Sequence, residues 1–113
     1  MQQERPWGYY ETILEATGYL VKRLVINPDQ RISLQRHRQR SEHWVVVSGE
    51  AQVTLDKGIR PLAKGEHILI PQGSRHRISC RGDAPVVLIE VQLGELLSED
   101  DIERFEDDYG RHT

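Results

Sequence analysis

Runs rich in Val, Ile, Leu and Thr recur at 19–26, 31–37, 43–55, 67–70, 75–80 and 86–93, and turn signals punctuate them at short intervals. The signals are Asn27-Pro28-Asp29, Ser48-Gly49, Asp56-Lys57-Gly58, Lys64-Gly65, Pro71-Gln72-Gly73 and Arg81-Gly82-Asp83. Short β-rich segments with regular punctuation predict an all-β sandwich or barrel. No run holds a 3.6-residue period over the roughly 10–12 residues of a core helix. With 113 residues there is room for one domain and one core. The barrel is expected over about 17–94 of a single domain that spans 1–113.

The tail reads differently. Ser98 and Asp101 form an approximate capping box, and Glu99, Asp100 and Asp101 suit the positive end of a helix dipole. Ile102, Phe105 and Tyr109 fall on one helical stripe, and Gly110 follows as a natural stop. The spacing predicts an amphipathic helix over about 98–109, packed on the barrel.

Charge narrows the function classes. Residues 95–113 hold eight Asp/Glu against Arg104 and Arg111, whereas residues 1–94 carry a balance of +3. So mild a basicity is far from a nucleic-acid footprint but suits a small anionic ligand. No run approaches the roughly 20 apolar residues of a membrane span. The start, MQQERPWGYY, lacks the apolar core of a secretory signal, so the cytoplasm is the expected compartment. Cys80 is the single cysteine, which excludes an intrachain disulfide and a CxxC site.

The chemistry concentrates in two stretches. In a strand over 31–37, Ser33, Gln35 and His37 share one face, with Ile32, Leu34 and Arg36 on the other. A short connection then brings Glu42 to the next strand, where Glu42, Trp44 and Val46 share a face. The second stretch, Gly65 to His76, sets His76 just past the Pro71-Gln72-Gly73 turn. Gln35, His37, Glu42 and His76 thereby converge at a barrel mouth as two imidazoles, a carboxylate and an amide oxygen, a donor set for a divalent cation. His43 should face away, and Trp44 and Val46 should lie in the core.

These spacings resemble the cupins, whose motifs are G(x)5HxH(x)3–4E(x)6G and G(x)5PxG(x)2H(x)3N. Gln35-x-His37-(x)4-Glu42-(x)6-Gly49 matches the first with Gln for the first His. Gly65-(x)5-Pro71-x-Gly73-(x)2-His76-(x)3-Cys80 matches the second with Cys for Asn. Cys80 is expected to be a small buried hydrophobe rather than a nucleophile. Further marks are Arg5-Pro6-Trp7-Gly8, Ser33-Leu34-Gln35, Arg40-Ser41-Glu42-His43-Trp44, Glu99-Asp100-Asp101-Ile102-x-Arg104 and Asp108-Tyr109-Gly110-Arg111. With them the chain looks like the type II mannose-6-phosphate isomerase cupins, in which Gln also replaces the first His. These usually form the C-terminal part of bifunctional mannose-1-phosphate guanylyltransferase/mannose-6-phosphate isomerases.

The resemblance implies a jelly-roll-like double-stranded β-helix and a metal-dependent interconversion of mannose 6-phosphate and fructose 6-phosphate, within nucleotide-sugar and polysaccharide biosynthesis. Zinc is the first expectation, since the related type I isomerases bind it with a Gln, two His and a Glu; Co, Mn, Ni or Fe also suit this donor set. Arg40, inside the signature, is the expected phosphate contact, with Arg36 and Arg77 as further candidates. Glu90, facing inward with Gln92, is the candidate general base. A homodimer is expected, through Ile32, Leu34 and the alternate face of 43–47. The alternative is a non-catalytic module that binds a sugar phosphate or nucleotide sugar beside a separate guanylyltransferase. A metal-dependent cupin acting on another small substrate is the third reading. No glycine-rich nucleotide-binding segment occurs in these residues, so they are not expected to transfer nucleotides.

Overall fold

The computed structural model describes residues 2–111. In chain order its strands are β1 (Gln2–Arg5), β2 (Gly8–Ala16), β3 (Tyr19–Ile26), β4 (Leu34–Arg36), β5 (Ser41–Ser48), β6 (Ala51–Leu55), β7 (Gly58–Leu62), β8 (His67–Ile70), β9 (His76–Cys80), β10 (Val86–Leu93) and β11 (Glu103–Glu106). They form two antiparallel sheets. One runs β1-β2-β3-β10-β5-β8 and the other β11-β4-β9-β6-β7. The expected all-β barrel is therefore present, and no helix occurs among the described residues.

The core lies between the sheets. Ile26, Trp44, Val46, Val86 and Leu88 from the first meet Val53, Leu62, Ile78 and Cys80 from the second. Period-2 alternation produces this, most plainly on β10, where Val86, Leu88, Glu90 and Gln92 are buried and the residues between them are not. The inward positions also change character along each strand. They run Glu42, Trp44, Val46 on β5, His76, Ile78, Cys80 on β9, and Gln92, Glu90, Leu88, Val86 on antiparallel β10. One end of the interior is thus apolar and the other is lined with ionisable groups. Cys80 is a buried core residue, as expected of a small hydrophobe.

Two turns fix the motif loops. Gly49, between β5 and β6, has φ +91°, and a Cβ there would sit 2.5 Å from the carbonyl oxygen of Pro85. Gly73 has φ +84°, and its N–H donates to the His37 carbonyl at 2.9 Å, joining the two site-bearing stretches.

The tail does not form the expected helix. Residues 98–101 make a single turn, with the Asp101 N–H on the Ser98 carbonyl, and β11 then pairs with β4 at the edge of the five-stranded sheet. A helix would stack like charges at Glu99, Glu103 and Asp107, four residues apart. The extended strap instead gives its acids cationic partners: Glu103 with Arg36 and Arg38, Glu106 with Arg77, Asp108 with Arg31. It also fills the backbone hydrogen bonds of an otherwise open edge. The β-structure extends beyond 17–94 at both ends, through β1–β2 and through β11.

The expected outer apolar surface is corrected at one position. Ile32 is 5% exposed and belongs to the core, because the strand over 31–37 is broken and only Leu34–Arg36 keeps regular pairing. Val45 and Val47, on the alternate face of β5, are exposed as expected.

Candidate metal centre

β4 and β9 pair so that Gln35 lies directly opposite His76. His37 follows β4 in the tight connection to β5, and Glu42 is the second residue of β5, on the facing sheet. One ligand atom from each of His37, Glu42 and His76 falls within 4.8 Å of the others, and all three side chains are buried. Gln35 joins them, with its amide nitrogen 3.4 Å from His37 Nε2 and its Oε1 accepting from the Ser33 hydroxyl at 2.8 Å. All four residues expected from the spacing are thus brought together.

Backbone carbonyls orient both rings. His37 Nδ1 lies 2.6 Å from the Asp101 carbonyl and His76 Nδ1 lies 3.0 Å from that of Ser74. Each Nδ1 therefore carries the proton and each Nε2 presents a lone pair inward. Burial holds both imidazoles neutral by pushing their pKa values down to about 4, assisted at His37 by the nearby Arg40 charge. His76 Nε2 is buried without a hydrogen-bond partner. An orphaned imidazole lone pair beside a second imidazole and a carboxylate fits a divalent cation. His37, Glu42 and His76 would hold it, with Gln35 alongside.

Arg40 enters this cluster directly. Its Nε donates to Glu42 Oε2 at 2.9 Å, its Nη1 to the Ser98 carbonyl at 3.2 Å, and its Nη2 lies 3.2 Å from His37 Nε2. Arg36 and Arg77 are placed elsewhere. Arg36 pairs with Glu103 at 2.7 Å, while Arg77 donates to the Ile32 carbonyl and to Glu106. Neither borders the cavity described below.

Glu90 faces inward, 5% exposed, with Gln92 on the same side, as the alternation on β10 predicts. Its Oε2 accepts from the Gln92 amide at 2.7 Å, and its Oε1 shares the Trp44 indole N–H with Glu42. Burial, then the neighbouring Glu42 charge, raises the Glu90 carboxyl to about 7. A carboxyl poised there can both take and return a proton.

A cavity of about 80 Å³ opens onto this group, with Gln35, His37, Arg40 and Glu90 in its wall. Trp7, Tyr10, Leu24, Ile32 and Ile102 give it an apolar side. Arg5, Lys22, Arg104 and Arg111 also line it, together with Glu99. These four cations were not among the expected site residues. They come from the chain's two ends and from β3, so no local spacing links them. Three stand in segments that carry the family resemblance: Arg5-Pro6-Trp7-Gly8, Ile102-x-Arg104 and Tyr109-Gly110-Arg111.

Two sheets enclosing a buried His-Glu-His set beside an inward Gln define a cupin. The superposition agrees: the fold matches an oxalate decarboxylase from Bacillus subtilis with a TM-score of 0.83, over 93% of this chain and 30% of that one, at 16% identity. The chain itself belongs to the family described as mannose-6-phosphate isomerase C-terminal, which it matches over residues 1–107. It is 48% identical over 107 residues to the mannose-1-phosphate guanylyltransferase of Escherichia coli K12, covering 95% of this chain and 22% of that protein. The alginate biosynthesis protein AlgA of Pseudomonas syringae pv. tomato is 49% identical over 107 residues, with the same coverage. The chain thus spans under a quarter of the length of these curated relatives.

Proposed function

We propose that this cupin is a metal-dependent aldose–ketose isomerase acting on mannose 6-phosphate and fructose 6-phosphate. The observation that carries the reading is a neutral two-imidazole, one-carboxylate cation site whose His37 borders the same cavity as Glu90, a buried carboxyl poised near neutrality. A divalent cation bound there would polarise the sugar carbonyl. Glu90 takes the proton from one of the two carbons and returns it to the other through an enediol. Trp44 and Gln92 fix the Glu90 carboxylate at its two oxygens, so the proton is held at a defined place. The apolar wall from Trp7, Leu24 and Ile32 limits the water that would compete for it.

The names of the relatives favour a second reading. They are guanylyltransferases and polysaccharide biosynthesis proteins of which this domain is a small share. On that reading the domain binds a sugar phosphate for a separate transferase and turns nothing over.

A coupled assay with mannose 6-phosphate on purified, metal-analysed protein separates the two, run beside His37→Ala and His76→Ala. Metal-dependent turnover lost in both variants supports the isomerase. Folded, metal-bearing protein that binds the sugar phosphate without turnover supports the second reading.

A further inference from the structure

We infer that the outward face of the six-stranded sheet, over β3, β10, β5 and β8, binds a second copy of this chain, sheet face against sheet face.

An antiparallel sheet with one face in the core and the other in water should alternate apolar with polar residues. The five-stranded sheet does so. Gln52 and Thr54 alternate with core residues on β6, and Ser79 stands between Ile78 and Cys80 on β9. The six-stranded sheet does not. On β10 the positions facing away from the core are Val87, Ile89, Val91 and Leu93, aliphatic along the whole strand. β5 adds Val45 and Val47, and β8 adds Leu69. Register joins them into one patch: Ile89 lies opposite Val45, and Val91 lies opposite Val21 of β3 on the other flank. Leu69 sits diagonally across from Val45, which pairs with His67 two residues earlier. Of the surface expected from the sequence, only the β5 part belongs to this face, since Ile32 is buried and Leu34 lies on the other sheet.

Charge and extent both fit a copy of the same face. Arg23 is the one outward Asp, Glu, Lys or Arg on these four strands, and Glu11 of β2 neutralises it at 2.6 Å. Such a face gives a charged partner nothing to pair with and brings no like charges together when two copies meet. A two-fold axis returns the same aliphatic surface to each copy. Three strands of eight residues and one of four, at about 3.4 Å per residue and about 4.8 Å apart, project an area of roughly 450 Å². Side-chain relief and the exposed flanking Leu14 and Tyr19 enlarge this toward the roughly 800 Å² that each partner gives to a standard interface. Glu90, in the cavity wall, projects from the opposite side of β10. The pairing is therefore independent of what the cavity binds.

Sedimentation velocity tests it at protein concentrations up to about 100 μM, where even a micromolar interface is populated. The samples are the wild type, Val45→Lys, Leu69→Lys and the control Ile59→Lys. Val45 is 40% exposed, Leu69 47% and Ile59, on β7 of the other sheet, 63%, so a lysine at each reaches water in the single chain. The expected result is a wild-type dimer and a control that matches it. Both face variants should raise the dissociation constant at least a hundredfold, because the two-fold axis places each lysine in the contact twice. Circular dichroism and metal content check the fold of each variant. Leu69→Lys, on an edge strand, carries the test should Val45→Lys fail to fold. A wild type that sediments as a monomer throughout overturns the inference. So does a dimer that survives in the folded face variants, or one that Ile59→Lys weakens as much as they do.

Discussion

Glu42 and Glu90 share a single proton donor: the Trp44 indole Nε1–H lies 2.9 Å from Oε1 of Glu42 and 3.1 Å from Oε1 of Glu90. The arrangement follows from register, since Trp44 stands directly opposite Glu90 across β5 and β10, with Glu42 two residues before it on the same face. Two buried carboxyls in contact cannot both ionise cheaply, and burial together with the Glu42 charge raises the Glu90 carboxyl to about 7. In the proposed isomerase one side chain serves as a cation ligand and the other as the proton carrier.

Replacing that donor should unsettle both. Trp44→Phe keeps most of the buried ring but leaves two carboxyl oxygens without their N–H. A destabilisation of about 2–4 kcal/mol is expected from the lost charge-assisted hydrogen bond and the smaller ring. Urea denaturation of the metal-free protein measures it. A change below about 0.5 kcal/mol would mean that the indole N–H contributes packing alone.

Glu90→Gln separates proton transfer from cation binding. The amide is isosteric and still offers Oε1 to Trp44, so metal content should stay at the wild-type level. Turnover of mannose 6-phosphate should fall by a factor of about 10² or more, the usual contribution of a positioned base. Metal analysis and the coupled assay on one preparation check both halves. Unchanged turnover would assign the proton to another group.

Acid should weaken the metal-free protein. His37 and His76 titrate near 4 in the fold against 6.5 ordinarily, so the unfolded chain binds more protons between those values and stability falls as the pH is lowered through that window. Glu90 acts in the opposite sense. Its carboxyl is raised from 4.5 to about 7, so it contributes stability at low pH that is lost as pH rises through 7. Two histidines outweigh one carboxyl. Between about pH 4.5 and 5.5 the net difference is near one proton, or about 1.4 kcal/mol of stability gained per unit rise in pH, and it shrinks toward zero by pH 7. The profile should flatten near pH 7. Urea midpoints in EDTA across this range test it, and a flat profile from 4.5 to 6.5 would contradict the buried, neutral state of the two rings.

The strands legible in the sequence are those with one face in the core. β3, β8 and β10 coincide with the apolar runs at 19–26, 67–70 and 86–93, because alternation there reflects burial. β2 is exposed over most of its second half and β7 carries Pro61 with only Leu62 buried, so neither shows a pattern. The candidate cation ligands were legible because they sit at fixed intervals within two hairpin-sized stretches. Arg5, Arg104 and Arg111 were not, since they border one cavity from the chain's two ends and no local spacing links Arg5 to the other two. The strap itself misleads, because a capping signal and an apolar stripe describe a helix that inter-strand pairing and the neighbouring arginines outcompete.

Asp101 is where that competition bears on the site. Its carboxylate accepts the N–H groups of Arg38 and Gln39, each at 2.9 Å, and these bonds hold its pKa below the ordinary aspartate value against the effect of burial. Its carbonyl, which a helix would spend on its own ladder, takes the Nδ1–H of His37. Asp101→Ala removes the two carboxylate bonds and keeps that carbonyl. A loss of about 1–2 kcal/mol of stability is expected, at the low end for hydrogen bonds to a half-exposed charge. Cation affinity should fall by about tenfold, as when a group that orients a ligand is removed. Asp100→Ala serves as the comparison, since Asp100 is exposed and the bond from its own N–H to the Ser98 hydroxyl survives the change. Urea denaturation and competition with a chelating dye measure the two effects. If Asp101→Ala and Asp100→Ala behave alike, the strap does not hold the His37 loop in place.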